Sequence, residues 1–412
     1  VDPLITAEFG QEHGWNTYCP EDPDGPGGHA VVGCVAVAMA QIMHYWSFPT
    51  SGLASHGYES SYGYLEADFS AAYYDFAAMG DGTEPSDAAA LLLSHVGIAL
   101  EMDYGPYESV AYYNRAFNVF SDYFYFQELQ QDYDSSDWIR ADWIGANWPG
   151  FEFTEEDYLN ILKDELNNYR PILYYGNEID SEIGHCWNID GYNDDLFHMN
   201  FGWGGYYNSF FRLNDPAMYF TENQGFFRNL IPKDINKSKL FLNSYEFNET
   251  NGDMDMVINP GETIELETEL IIPSVFLDAD SITIILETSD AGISISDYSS
   301  NYGELDAGIE FTLNPFEIEI ASEITFGSKD FNLYATAFSQ GSAFLDTFKI
   351  ELDVSLWQYG FPLSLAFERS NPLVIDLDNN GEKEIIVGDK HGVVHIFNIN
   401  GIEVQDNNFP FE

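Results

Sequence analysis

The stretch VVGCVAVAMAQIMHYW (31–46) is apolar on almost every side, and GHCWNIDGYNDDLFHMNFGWGG (184–205) alternates apolar and polar residues between Gly, Asn and Asp turns. A segment without a polar face predicts a helix buried in a core, starting near Cys34. The alternation predicts antiparallel strands. Working outward, AAALLLSHVGIAL (88–100) reads as a second buried helix. In 155–169, Tyr158, Ile161, Leu162 and Leu166 recur at helical spacing behind an acidic first turn. ILYYG (172–176) and SFFRL (209–213) read as further strands. Helices first and a sheet later predict an α+β domain over residues 1–232.

The texture changes beyond this. Ile264, Leu266, Leu270 and Ile272 alternate with Glu265, Glu267 and Glu269, and Phe348, Ile350, Leu352 and Val354 alternate with Lys349, Glu351 and Asp353. This predicts an all-β, Ig-like sandwich over 236–355. Residues 356–412 carry Asp376, Asp378, Asn380 and Glu384 around a Gly turn, a spacing of oxygen ligands that suits Ca²⁺. Two or three strands in so short a segment cannot bury a core alone. A fragment of a longer repeat array is expected here. Asn251, Asp253 and Asp255 read as a solvated turn in preference to a cation site.

The chain has 412 residues, 69 acidic and 14 basic, for a net charge of −55. At 45% apolar and 16% aromatic it can still build large cores, so the acidity is not that of a disordered tail. A phosphate-binding face needs a basic surplus, which excludes nucleic-acid partners. No apolar run is long enough for a membrane span. The first basic residue is Arg115, so the positive n-region of a leader is absent, and a processed form of an exported protein is expected. High negative charge favours a secreted or cell-surface location, in a saline medium that screens self-repulsion. Three cysteines, Cys19, Cys34 and Cys186, are too few for a disulfide scaffold.

Cys34 follows a glycine and opens the buried helix. A helix N-terminus offers unpaired N–H groups and a positive dipole end, which favour thiolate over thiol. The same residue also reads as a small apolar side chain packed in a core. His185 follows Gly184 and lies 151 residues after Cys34; Asn200 lies 15 further on. The order Cys, His, Asn at this spacing is that of a papain-type nucleophile, base and orienting amide. The sequence contains no HExxH, Walker loop, CxxC pair or GxSxG elbow.

At these residues the chain resembles the streptopain family of papain-clan cysteine peptidases. GCVAVAMAQIMHYWSFPTSG (33–52) is similar to the family's cysteine segment, and 184–213 to its histidine–asparagine segment. MDYGP (102–106) and YLNILKDELNNYRPILYYG (158–176) fit between them, so the resemblance covers roughly 1–215. It implies a papain-like catalytic domain needing no cofactor, with Cys34 as nucleophile behind Gly33, and His185 as its ion-pair partner and proton donor. It further implies Asn200 as the group orienting the imidazole and Gln11 as an oxyanion-hole donor. Phe201 and Trp203 would shield the site from water. Polypeptide substrates are implied, with a hydrophobic residue two places before the cut, as is synthesis with an N-terminal propeptide.

Phe9 and Phe201 stand where the family commonly has Trp, and Cys186-Trp187 replaces a smaller pair beside the histidine. Cys186 is either buried and inert or bridged to Cys19. The loop at 376–384 resembles a calcium loop of an FG-GAP-type propeller repeat. Two rival readings are a transglutaminase-type acyltransferase, which would pass the acyl group to an amine, and an adhesin on an inactive peptidase fold.

Overall fold

The computed structural model describes residues 1–130, 136–144, 147–148, 151–181, 183–235, 237–252, 254–355, 372–377, 383–388, 393–398 and 401–404. The chain divides into two compact units, Val1–Ile235 and Asn236–Glu412.

Among its described residues the first unit holds five α-helices: α1 (Cys34–Trp46), α2 (Phe76–Met79), α3 (Asp87–Ala99), α4 (Ala116–Phe124) and α5 (Glu155–Asn167). Strands β1 (Ser55–Ser60) and β2 (Gly63–Asp68) form a hairpin, and β4 (Asn147–Trp148) pairs with β5 (Phe151–Glu152). The main sheet runs in the order β3 (Trp138–Arg140), β10 (Glu222–Phe227), β6 (Ile172–Asn177), β7 (Gly184–Asn193), β8 (Leu196–Asn200), β9 (Ser209–Phe211). Its neighbours are all antiparallel.

The helix α1 is buried from Val35 to Met43 and again at Tyr45 and Trp46, as its apolar circumference predicts. It packs on β7 and on α3. The helix α5 is amphipathic instead. Thr154 and Asp157 form a reciprocal capping box, Glu155 and Glu156 complete an acidic first turn, and Tyr158, Leu162 and Leu166 face inward. Both helices were legible because one needs no polar face and the other has a regular one.

The second unit contains a five-stranded sheet ordered β11 (Phe241–Asn251), β12 (Thr263–Ile271), β17 (Phe316–Ile320), β14 (Ile293–Ser296), with β16 (Glu310–Thr312) also on β12. A four-stranded sheet follows the order β15 (Ser299–Tyr302), β13 (Ser281–Thr288), β18 (Gly327–Ser339), β19 (Ser342–Val354). Ile264, Leu266, Leu270 and Ile272 are all fully buried, as their alternation with glutamates predicts. Phe247 on β11 and Phe331 on β18 bring ring centroids within 5.9 Å across the two sheets. A third sheet, β20 (Leu373–Ile375), β21 (Glu384–Gly388) and β22 (Val394–Phe397), lies in the C-terminal segment.

Of the four expected calcium ligands, Asp378 and Asn380 lie outside the described residues. Glu384 is almost buried, and its carboxylate accepts a hydrogen bond from the Leu377 N–H at 2.7 Å. Among the described residues no cluster of three or more His, Cys, Asp or Glu side chains is arranged to hold a metal.

Candidate active site

Cys34 is the first residue of α1. Gly33 immediately before it has φ = 94°, a left-handed conformation that a side chain resists. A Cβ there would also sit 2.8 Å from Met102 Sδ and 3.0 Å from the Ser109 carbonyl. Glycine is therefore what lets the chain turn sharply into the helix and present Cys34, which stays partly exposed. The thiol faces its own N–H and those of Val35 and Cys186.

Gln11 reaches the same place from the N-terminal segment. Val32 N–H donates to the Gln11 carbonyl at 3.1 Å, and Gly204 N–H donates to the Phe9 carbonyl at 3.3 Å. Phe9 packs on Trp15 and His44, with centroids 5.0 and 5.4 Å away. The backbone thus fixes Gln11, while its side-chain amide makes no hydrogen bond to any described residue. Gln11, Cys34, Gly184 and His185 line one cleft of about 300 Å³. Its far wall is the segment 107–113 together with Gly176 and Asn177. A second hollow, lined by Gln11, Glu12, His13, Trp15 and Trp203, opens on the other side of Gln11.

The wall is anchored at both ends. Val31 N–H donates to the Gly105 carbonyl at 3.0 Å, and the Ser109 hydroxyl donates to the Val31 carbonyl at 2.6 Å. At the other end Tyr113 stacks on Tyr175 with centroids 3.8 Å apart. No periodicity in 105–113 announces this role, since the segment is a loop whose position depends on distant partners.

His185 opens the buried part of β7 and is 7% exposed. Its Nε2 lies 2.8 Å from the Phe201 carbonyl. A carbonyl only accepts, so Nε2 carries the proton and Nδ1 is the free base. Aromatic rings enclose the imidazole: Trp203 at 4.5 Å, Phe220 at 5.2 Å, Phe201 at 6.0 Å and Trp187 at 6.1 Å between centroids. Trp203 and Phe201, the two rings expected as shields, both stand beside the imidazole. Phe220 was missed, because it comes from an irregular segment before β10 and carries no local signal.

The Asn200 side chain finds its partners away from the imidazole in this structure. Strand register places it opposite Asn188, three residues beyond His185. Its Nδ2 donates to the Ala7 carbonyl at 2.8 Å, and its Oδ1 accepts from Gln41 Nε2 at 2.9 Å and Gly202 N–H at 3.3 Å. Gln41 Nε2 also donates to the Ala7 carbonyl at 3.1 Å. Asn188 Nδ2 donates to Gln41 Oε1 at 2.8 Å and to the Ala38 carbonyl at 3.0 Å. These three fully buried amides tie α1, β7, β8 and the N-terminal segment together. The acceptor at His185 is the backbone one residue past Asn200, whose position the amide network holds.

This assignment predicts an Asn200→Ala phenotype dominated by stability. Gln41 and Ala7 would each lose a buried partner, at a cost of roughly 1–3 kcal/mol. Thermal unfolding should register that loss, while kcat of the folded fraction falls far less than in His185→Ala. Equal kcat losses in the two variants, with Asn200→Ala unfolding like the parent, would return Asn200 to the triad.

Burial pushes the Cys34 thiol up, against the three N–H groups that pull it down. Burial lowers His185 to about 4, against the Phe201 hydrogen bond that raises it. In each case burial opposes the charged form of the group, the thiolate of Cys34 and the imidazolium of His185. A value near 4 keeps His185 neutral above that pH, the form a base for the Cys34 thiol would need. A kcat/KM profile is accordingly expected to hold between pH 6 and 5 and to fall only as the pH approaches about 4. An acid midpoint at or above the ordinary histidine value, about 6.5, would contradict the burial argument.

Cys19 and Cys186 are both free thiols, so the bridge between them is not formed. Cys19 is buried against the Tyr104 hydroxyl, and burial raises it to about 12.

The family model described as the Peptidase C10 family matches residues 9–211. Streptopain of Streptococcus pyogenes is 30% identical over 203 residues, 46% of this chain and 47% of that protein. The thiol protease/hemagglutinin PrtT of Porphyromonas gingivalis is 27% identical over 223 residues, 52% of this chain and 23% of that protein. Active wild-type interpain A, a cysteine protease of Prevotella intermedia, is 30% identical, covering 56% of this chain and 94% of that chain with a TM-score of 0.47. The chain spans about half the length of the streptopain relatives it matches.

Proposed function

Residues 9–211 belong to the peptidase C10 family, a family of cysteine peptidases, and from that premise we propose that the chain is a secreted endopeptidase that cleaves polypeptides through Cys34. The observation that carries the reading is the convergence of Gln11, Cys34 and His185 on one cleft from three separate parts of the chain.

In the proposed reaction the Cys34 proton passes to His185 Nδ1 as sulfur attacks the peptide carbonyl carbon. The carbonyl oxygen becomes an oxyanion, held by the Cys34 N–H and the Gln11 amide. His185 then protonates the leaving amine, and the thioester remains. A water molecule, deprotonated by His185, attacks the thioester and restores the thiol. The Phe201 carbonyl keeps the imidazole in the required tautomer throughout. The aromatic enclosure limits water around the imidazole to what enters with the reaction.

The acyl side of the substrate is assigned to the wall at 107–113, where Val110 and Ala111 offer apolar contact for the hydrophobic residue two places before the cut. An N-terminal propeptide and Ca²⁺ in the 376–384 loop are part of the proposal, and so is the face-to-face packing of the two larger sheets in the second unit as a sandwich. Among the described residues no helix is long and apolar enough to cross a membrane.

An epoxysuccinyl peptide tests the central claim. It is expected to add one equivalent to Cys34, read by peptide mass, and to stop hydrolysis of an unfolded protein in step. Full labelling without loss of hydrolysis, or hydrolysis with no labelling under reducing conditions, refutes it.

A further inference from the structure

We propose that Cys186 is a resolving thiol for Cys34, so that a hydroperoxide converts the nucleophile into a reversible Cys34–Cys186 disulfide. The face of β7 that meets α1 is fixed by Asn188, whose side chain reaches Ala38 and Gln41. Side chains two apart on a strand share a face, so Cys186 points the same way. Four residues back along α1 from Ala38 is Cys34. Four helical residues advance about 6 Å and two strand residues about 6.6 Å. Cys34 therefore stands to Cys186 as Ala38 stands to Asn188.

Two further observations agree. The Cys186 backbone N–H faces the Cys34 sulfur, and both residues line the cleft. On this proposal the two sulfurs, each only two bonds beyond its own Cα, come within bonding reach of one another. Cys186 is 2% exposed and free. Its burial limits access by outside reagents, while Cys34 lies beside it.

The chemistry balances. The Cys34 sulfur attacks the terminal oxygen of the hydroperoxide, the O–O bond breaks, and the departing alkoxide takes the thiol proton to leave as an alcohol, or as water from hydrogen peroxide. Cys34 is then a sulfenic acid. The Cys186 sulfur attacks the Cys34 sulfur, the S–O bond breaks, and hydroxide leaves with the Cys186 proton as water. Two thiols have lost two electrons and two protons, and the hydroperoxide has been reduced. A dithiol reverses the bond by exchange. The disulfide removes the nucleophile from use while protecting it from irreversible oxidation.

The proposal rests on the peptidase reading only for its consequence, the loss of hydrolysis; the bond itself is read by mass. The whole chain is reduced, treated with a small excess of hydrogen peroxide, alkylated and digested without reductant. The expected result is a Cys34–Cys186 linked peptide, hydrolysis lost, and both reversed by dithiothreitol. In Cys186→Ala the same dose should carry Cys34 on to the sulfinic acid, with no recovery on reduction. Sulfinic acid at Cys34 of the parent with no linked peptide overturns the proposal, and so does a link through Cys19. If Cys186→Ala does not fold, the linkage map of the parent chain decides alone. If the reduced parent hydrolyses nothing, the peptidase reading fails while the linkage map still decides the disulfide.

Discussion

Cys34→Ala should eliminate hydrolysis of an unfolded protein substrate, a fall in kcat/KM of roughly 10⁴-fold or more, the scale seen when a covalent nucleophile is removed. The size follows from the mechanism: without sulfur there is no thioester, and His185 alone has no attacking group to deprotonate. The fold should survive, because the sulfur's partners are backbone N–H groups at a helix N-terminus and the cleft is open to water beside them. Thermal unfolding of the variant is therefore expected to match the parent. Initial rates and unfolding curves on the same samples check both halves. Retention of full activity would end the thiol-peptidase reading.

Gln11→Ala should lower kcat by about 10²–10³-fold, the usual cost of removing one oxyanion donor. KM should change little, since the donor meets full negative charge only in the transition state. Stability should also change little. The structural work at this position belongs to the backbone, through the Val32 N–H on the Gln11 carbonyl, and the side chain makes no hydrogen bond to any described residue. A raised KM with unchanged kcat would make Gln11 a substrate-binding residue. A large drop in unfolding temperature would make it a structural one.

The parts of this site that could be read from sequence are those with a local cause. Gly33-Cys34 before an apolar helix, and His185 at the head of a strand, declare themselves because backbone conformation and periodicity are set by near neighbours. Asn200 was located, and in the structure the atom that meets His185 is the carbonyl of the next residue, Phe201. The strand was evident, yet which atom near the end of β8 faces His185 depends on a register that shifts at 189–191. One signal was available and unused: Gln41 is the one amide inside the apolar run AVAMAQIM (36–43). A lone amide in a fully buried helix must find partners, and here they are Asn188 and Asn200. Phe220 and the wall at 105–113 had no such signal: the wall is placed by Val31 and Tyr175 and by its own Asp103–Val110 bridge, none of which a periodicity announces.

The way that wall is fastened bears on how such enzymes diversify. Its footings, Ser109 on Val31 and Tyr113 on Tyr175, lie inside the domain, while the rings of Tyr107 and Tyr112 stand 81% and 73% exposed above them. On the proposed function the footings hold the scaffold and the crest meets the substrate. Substitutions at Tyr107 and Tyr112 are then expected to change which peptides are accepted while leaving the geometry of Cys34, His185 and the amide knot beneath them unchanged.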